Sequence, residues 1–172
     1  MQTRESDSSI QCLFSITPLP SCHSEGSGTK LRGCDTANRV SDPCAICPSS
    51  QVPQAALRAT LETARERGVP VMVFVGNPGM IQIHTGTVEN LKPMGPWFNV
   101  LDEAFNLHLR EDHIASAWVV WKPTEDGTVT SLELFDKAGT LIATLFGKRK
   151  PGVPEDKAWR EIVNGLTEKE AA

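Results

Sequence analysis

The side chains able to do chemistry lie mostly between residues 71 and 150. Three histidines, His84, His108 and His113, offer imidazoles there, and a cationic run, Lys148-Arg149-Lys150, follows the apolar segment 141–146. Read as strands, in which alternate residues share a face, three segments line up aromatic and cationic groups. Met72 and Phe74 share one face, opposite Val71, Val73 and Val75. Trp118, Val120 and Lys122 share another. Ile142, Thr144 and Phe146 form a third, with Arg149 just beyond. Aromatic faces ending in cations suit a flat apolar ligand that carries anionic groups. The plainer reading, in which aromatics on strands are core and the Lys-Arg-Lys run is a solvated strand end, has more support from the residues alone.

The histidines divide by their neighbours. His84 shares a face with Gln82 and is the candidate metal ligand, although a half-buried structural role fits it better. His108 alternates with Asn106 and Arg110 as a structural residue would, and His113 beside Glu111 and Asp112 reads as a surface turn. All five cysteines fall within the first 47 residues. Cys44 and Cys47 form a CxxC pair that Cys34 and Cys22-His23 could complete to a tetrahedral zinc site. The second closely spaced pair of such a site is missing, which speaks against zinc. No phosphate-binding GxxxxGK[ST] loop occurs, and no GxSxG elbow. Glu125 and Asp126 read as turn formers.

The elements that must position these groups follow from periodicity and punctuation. A helix is expected over 54–67, with Ala55, Leu57, Leu61 and Ala64 on one face and Gly68 as its C-terminal stop. The segments 71–76 and 80–86 read as strands of a hairpin turned at Asn77-Pro78-Gly79, and 87–96, with two prolines and a glycine, as a loop. Further strands are expected at 97–101, 105–110, 114–121, 128–135 and 141–146, with a brief helical turn at 111–113. The last two are joined by the hairpin turn Asp136-Lys137-Ala138-Gly139. Pro154 opens a final helix over 155–165 that buries Trp159, Ile162 and Val163. Strands linked by short turns with a helix at each end describe an α+β domain with a largely antiparallel sheet. No crossover helices separate the strands, which argues against a parallel sheet.

Residues 1–52 are rich in Ser, Thr, Pro, Gly and Cys without either period, and are expected to form a disordered tail. That leaves 53–168 as one domain, long enough for a hydrophobic core. The 172 residues carry a formal net charge of −4 with acids and bases interspersed, so no basic stripe for nucleic acid is present. No apolar run reaches the length of a membrane span, the first residues lack a signal-peptide core, and a cysteine-free domain suits a reducing compartment. A cytoplasmic protein is the expectation.

Longer phrases carry a resemblance. VGNPGMIQIHTG, GPWFNVLD, FNLHLRED, KPTEDG, SLELFD and FGKRKPG closely resemble the carboxy-terminal half of the bacterial hemin-handling proteins of the HmuS/HemS type, over about two-thirds of the chain. The resemblance implies the HemS-like α+β fold, heme (hemin) as the cofactor or cargo, and cytoplasmic heme binding in iron acquisition and iron ion transport, with heme breakdown open. It implies that Arg149 and Lys122 hold heme and that Phe74 and Phe146 pack near the macrocycle. The chain departs from the family's pattern of two similar halves. The helical segment that supplies the axial histidine in relatives is replaced by the Cys/Ser-rich stretch. No tyrosine occurs, so iron in the folded part has only His84, His108, His113 or a methionine as ligand. Cys47-Pro48 also resembles the short Cys-Pro heme-regulatory motif. A competing class stands beside heme handling: a noncatalytic remnant or dimerisation module that keeps the fold without tight heme binding, or regains a second half as a homodimer.

Overall fold

The computed structural model describes residues 47–150 and 152–168. The expected tail, apart from its last residues, lies outside them, as do Cys12, Cys22, Cys34 and Cys44. Nine strands and two helices follow in the order β1 (Ser49–Val52), α1 (Ala56–Glu66), β2 (Val71–Asn77), β3 (Met80–Gly86), β4 (Leu91–Met94), β5 (Trp97–Leu101), β6 (Asn106–Arg110), a 3-10 turn (Glu111–His113), β7 (Ser116–Thr124), β8 (Gly127–Phe135), β9 (Leu141–Gly147) and α2 (Lys157–Glu168). The expected α+β class holds. The strands form two antiparallel sheets, one of six strands ordered β1-β7-β8-β9-β2-β3 and one of three ordered β4-β5-β6.

Two strands depart from the sequence reading. Residues 49–52, placed in the tail, pair with β7 from Ser49 opposite Val120 to Val52 opposite Ala117. Ser-Ser-Gln-Val is too short and polar to announce a strand, but Val52 is buried in the core. Within the expected loop 87–96, Leu91–Met94 pairs with β5, Pro93 standing opposite Phe98. β4 is an edge strand, where a proline's missing N–H is tolerated.

One face of the six-stranded sheet is apolar. Val71, Val73, Ala117, Val119, Leu132, Leu134, Ala143 and Leu145 join a single core with both helices and with Phe98, Val100 and Leu109 of the small sheet. α1 contributes Ala56, Leu57, Thr60, Leu61 and Ala64. Ala55, expected on that face, is exposed, and Ala56 is buried in its stead. Gly68, at φ +62°, provides the left-handed residue that ends α1. The final helix starts later than expected. Asp156 accepts a hydrogen bond from the Ala158 N–H at 2.8 Å, the geometry of an N-cap, and Glu155 before it is used elsewhere. Its carboxylate accepts from the Thr130 N–H at 2.6 Å and from Thr130 Oγ1 at 2.7 Å, while the Trp159 indole donates to the Thr130 carbonyl at 3.0 Å. β9 first pairs with β8 at Ser131, so Glu155 and Trp159 together satisfy the backbone of Thr130, just before that pairing begins.

Candidate ligand-binding face

Directly opposed residues of an antiparallel pair share a face, so register alone assembles the other side of the six-stranded sheet. Phe146 stands opposite both Ser131 and Met72, Thr144 opposite both Glu133 and Phe74, Trp118 opposite Glu133, and Val120 opposite Ser131. Four sequence segments thereby converge on the side of the sheet opposite the helix-bearing core cluster, where Val120, Lys122, Ser131, Glu133, Thr144 and Phe146 are themselves buried. The Phe74 and Phe146 rings meet edge to face with centroids 5.3 Å apart. The Lys122 ammonium lies 5.5 Å from the centroid of the Phe146 ring, within cation–π range.

Arg149, three residues beyond Phe146, reaches the turn at the far end of β7. Its Nη2 lies 3.4 Å from the Asp126 carboxylate, in the turn between β7 and β8, the turn that Lys122 approaches. Asp126 also accepts from the Gly152 N–H at 3.0 Å. The residue read as a turn former thus anchors the Lys-Arg-Lys segment as well. The buried Nη1 of Arg149 has no hydrogen-bond partner, and neither does the buried indole N–H of Trp118. Buried donors in a native fold are normally paired, and these two are exceptions.

Lys122 is committed differently. Its Nζ is 2.6 Å from Glu133 Oε1, with both side chains only 7% exposed, and Ser131 Oγ donates to the same oxygen at 3.1 Å. Glu133 and Ser131 were missed in the sequence. Their alternation with Leu132 and Leu134 signals a polar face, but a polar face reads as solvent-facing until the register puts aromatics and a lysine beside it.

His84 is placed elsewhere. It stands opposite Val73 and so belongs to the core side, away from Phe74. It stacks on Phe105 with centroids 3.7 Å apart and planes 6° from parallel. Burial pushes its pKa below the usual histidine value, against the opposing pull of Asp102, and its buried Nε2 is unpartnered. His108 lies on the outer face of the small sheet, its Nδ1 2.7 Å from Asn99 Oδ1, in an open depression of about 450 Å³ with Met94, Trp97 and Leu101. His113 is exposed in the 3-10 turn. Among the described residues, then, no histidine lies on the Phe74–Phe146 face, and no group of three His, Cys, Asp or Glu side chains is arranged to hold a metal ion. No helix of the described residues is long and apolar enough to cross a membrane.

Known proteins share this sequence and fold. Residues 44–166 match the family described as the haemin-degrading HemS/ChuX domain. The hemin transport protein HemS of Yersinia enterocolitica is 45% identical over 122 residues, 71% of this chain and 35% of that protein. Among solved structures, apo-PhuS, a heme-binding protein from Pseudomonas aeruginosa, superposes with a TM-score of 0.68 at 52% identity, covering 69% of this chain and 34% of its own. The Escherichia coli heme oxygenase ChuS gives 0.68 at 49%, covering 69% and 36%. The chain spans about a third of the length of these relatives. With a match across most of its length and the same sheet architecture, the chain belongs to the haemin-degrading HemS/ChuX domain family.

Proposed function

We propose that this domain binds heme on the outer face of its six-stranded sheet and handles it in the cytoplasm for iron acquisition. The observation that carries the reading is the convergence of Phe74, Phe146 and Lys122 on one face, with Arg149 at its end. A porphyrin needs flat apolar walls and cations for its propionates, and these residues offer both. The unpartnered Arg149 Nη1 and Trp118 Nε1 are donors for such a ligand. Relatives described as hemin transport, heme-binding and heme oxygenase proteins support the same ligand.

Binding is favoured over ring opening. When bound, heme iron supplies oxygen chemistry through an axial ligand and an open position. The described residues offer this face only the Met72 thioether, with no imidazole. A second copy of the chain is the proposed partner. Met80, Ile83 and Val75 of the β2–β3 hairpin are 66%, 50% and 41% exposed, and β3 is an edge strand, where apolar side chains mark an interface.

Hemin titration of the full chain, followed by its visible absorption, tests the proposal. A saturable Soret change is expected. Lys122→Gln with Arg149→Gln is expected to weaken it by about tenfold or more, the size of one or two lost charged hydrogen bonds. Unchanged affinity in a folded double variant would overturn the site.

A further inference from the structure

Glu133 occupies the place where a ligand carboxylate would meet Lys122. Its Oε1 is 2.6 Å from Nζ, and Ser131 Oγ, 3.1 Å away, fixes the same oxygen. Both side chains are nearly closed to solvent, so water does little to screen the pair. Arg149 is held more loosely. Its carboxylate partner is 3.4 Å away, and a second nitrogen is buried with no partner. The two cations are therefore not equivalent: Arg149 keeps a buried donor with no internal partner, whereas Lys122 is already engaged by an internal carboxylate.

We infer that Glu133 is a specificity-determining positioning residue, a resident competitor that holds Lys122 until a ligand's second carboxylate displaces it. The inference rests on the heme reading of this face and deepens it. A dicarboxylate porphyrin meets at Arg149 a nitrogen that no internal carboxylate holds, once that nitrogen is uncovered, and gains Lys122 only by breaking the Lys122–Glu133 contact. Its hold is weaker than two open cations would give, which suits a protein that passes its ligand on. Glu133 also bars a ligand from using Lys122 without a carboxylate to exchange. Thr144 and Trp118 flank Glu133 across the two neighbouring strands, and the unpartnered Trp118 indole is a donor that a displaced carboxylate could reach.

Binding of iron-free protoporphyrin, followed by tryptophan fluorescence quenching, tests this without any iron ligand. The full-chain wild type, Glu133→Gln, Lys122→Gln and the double variant are compared, each also with protoporphyrin dimethyl ester in the same mixed solvent. Glu133→Gln is expected to tighten protoporphyrin about tenfold, as when a charged hydrogen bond no longer competes. It should leave the ester unchanged and have no effect once Lys122 is Gln. A merely structural role would shift both ligands together and overturn the inference. Tightening that persists without Lys122 overturns it too, because Glu133 would then act by direct repulsion. If Lys122→Gln weakens protoporphyrin while Glu133→Gln does not tighten it, the competitor role fails and the heme site stands. If neither change nor Arg149→Gln alters binding, the heme reading of this face fails with it. Should Glu133→Gln not fold, Glu133→Asp, which keeps the charge but withdraws it from Lys122, must give the same ligand-selective tightening, and its absence overturns the inference.

Discussion

Trp159 of α2 lies against the bare backbone of Gly147 at the end of β9. A Cβ on Gly147 would fall 2.5 Å from the indole Cγ and 2.6 Å from its Cβ. Trp159 is fully buried and its N–H is tied to the Thr130 carbonyl, so the ring has no room to withdraw. The close approach of helix to sheet depends on glycine at this position.

Gly147→Ala is therefore expected to destabilise the fold by about 2 kcal/mol or more, the scale of overpacking in a rigid core. Gly165 provides the contrast. It lies within α2, and a Cβ there meets nothing within 4 Å. Gly165→Ala should stabilise by about 0.5–1 kcal/mol, the helix-propensity difference. Urea denaturation of the two variants checks the opposite signs.

Glu155→Gln is expected to cost about 2–3 kcal/mol, because a buried carboxylate accepting charge-assisted bonds from the Thr130 N–H, Thr130 Oγ1 and Arg160 Nε would be replaced by a neutral amide with misplaced donors. Hydrogen exchange at the Thr130 amide is the local readout. It should accelerate well ahead of the amides of β5, in the other sheet.

His84 makes stability depend on pH. Its folded pKa lies below the usual value of 6.5 because burial disfavours the cation. The unfolded chain then takes up the proton more readily, so the contribution is complete above about pH 6.5 and shrinks as pH falls from there through the folded pKa. Thermal melts from pH 8 to pH 5 should show this acid limb. His84→Phe, which retains a ring to stack on Phe105, should flatten it. An unaltered limb would assign it to other groups.

Phe74→Leu should weaken hemin binding about fivefold to tenfold while changing stability little, since Phe74 is only half-buried and an aromatic contact contributes about 0.5–1.5 kcal/mol beyond its area. Phe146→Leu should reduce both, because Phe146 is 3% exposed. Hemin titration and urea melts on the two variants separate wall from core.

Much of this fold was legible in the chain because its signals are local. Gly68, the Asn77-Pro78-Gly79 turn and the Asp136–Gly139 turn each set their own geometry: the Asn77 side chain takes the Gly79 N–H at 2.9 Å, and Asp136 takes those of Ala138 and Thr140 at 2.9 and 2.7 Å. β1 and β4 escaped because short edge strands are defined by the partner they join. The site was half legible for the same reason. Alternation grouped Met72 with Phe74 and Trp118 with Lys122, but only register places Thr144 beside both Glu133 and Phe74. The internal partners of Lys122 and Arg149 are non-local pairings that spacing does not encode.

The pairing of β2 with β9 joins strands between which β3 to β8 intervene in sequence. Such long-range closure comes late and slowly, after the loop entropy of everything between has been overcome. Phe74 is made well before Phe146 and has no Phe146 beside it until nearly the whole domain has left the ribosome. The aromatic wall consequently has no half-formed version: a nascent or clipped chain lacking β9 displays a single phenylalanine on an open strand edge. A ligand held by this wall, as proposed, would be captured by the finished domain and would not template its folding.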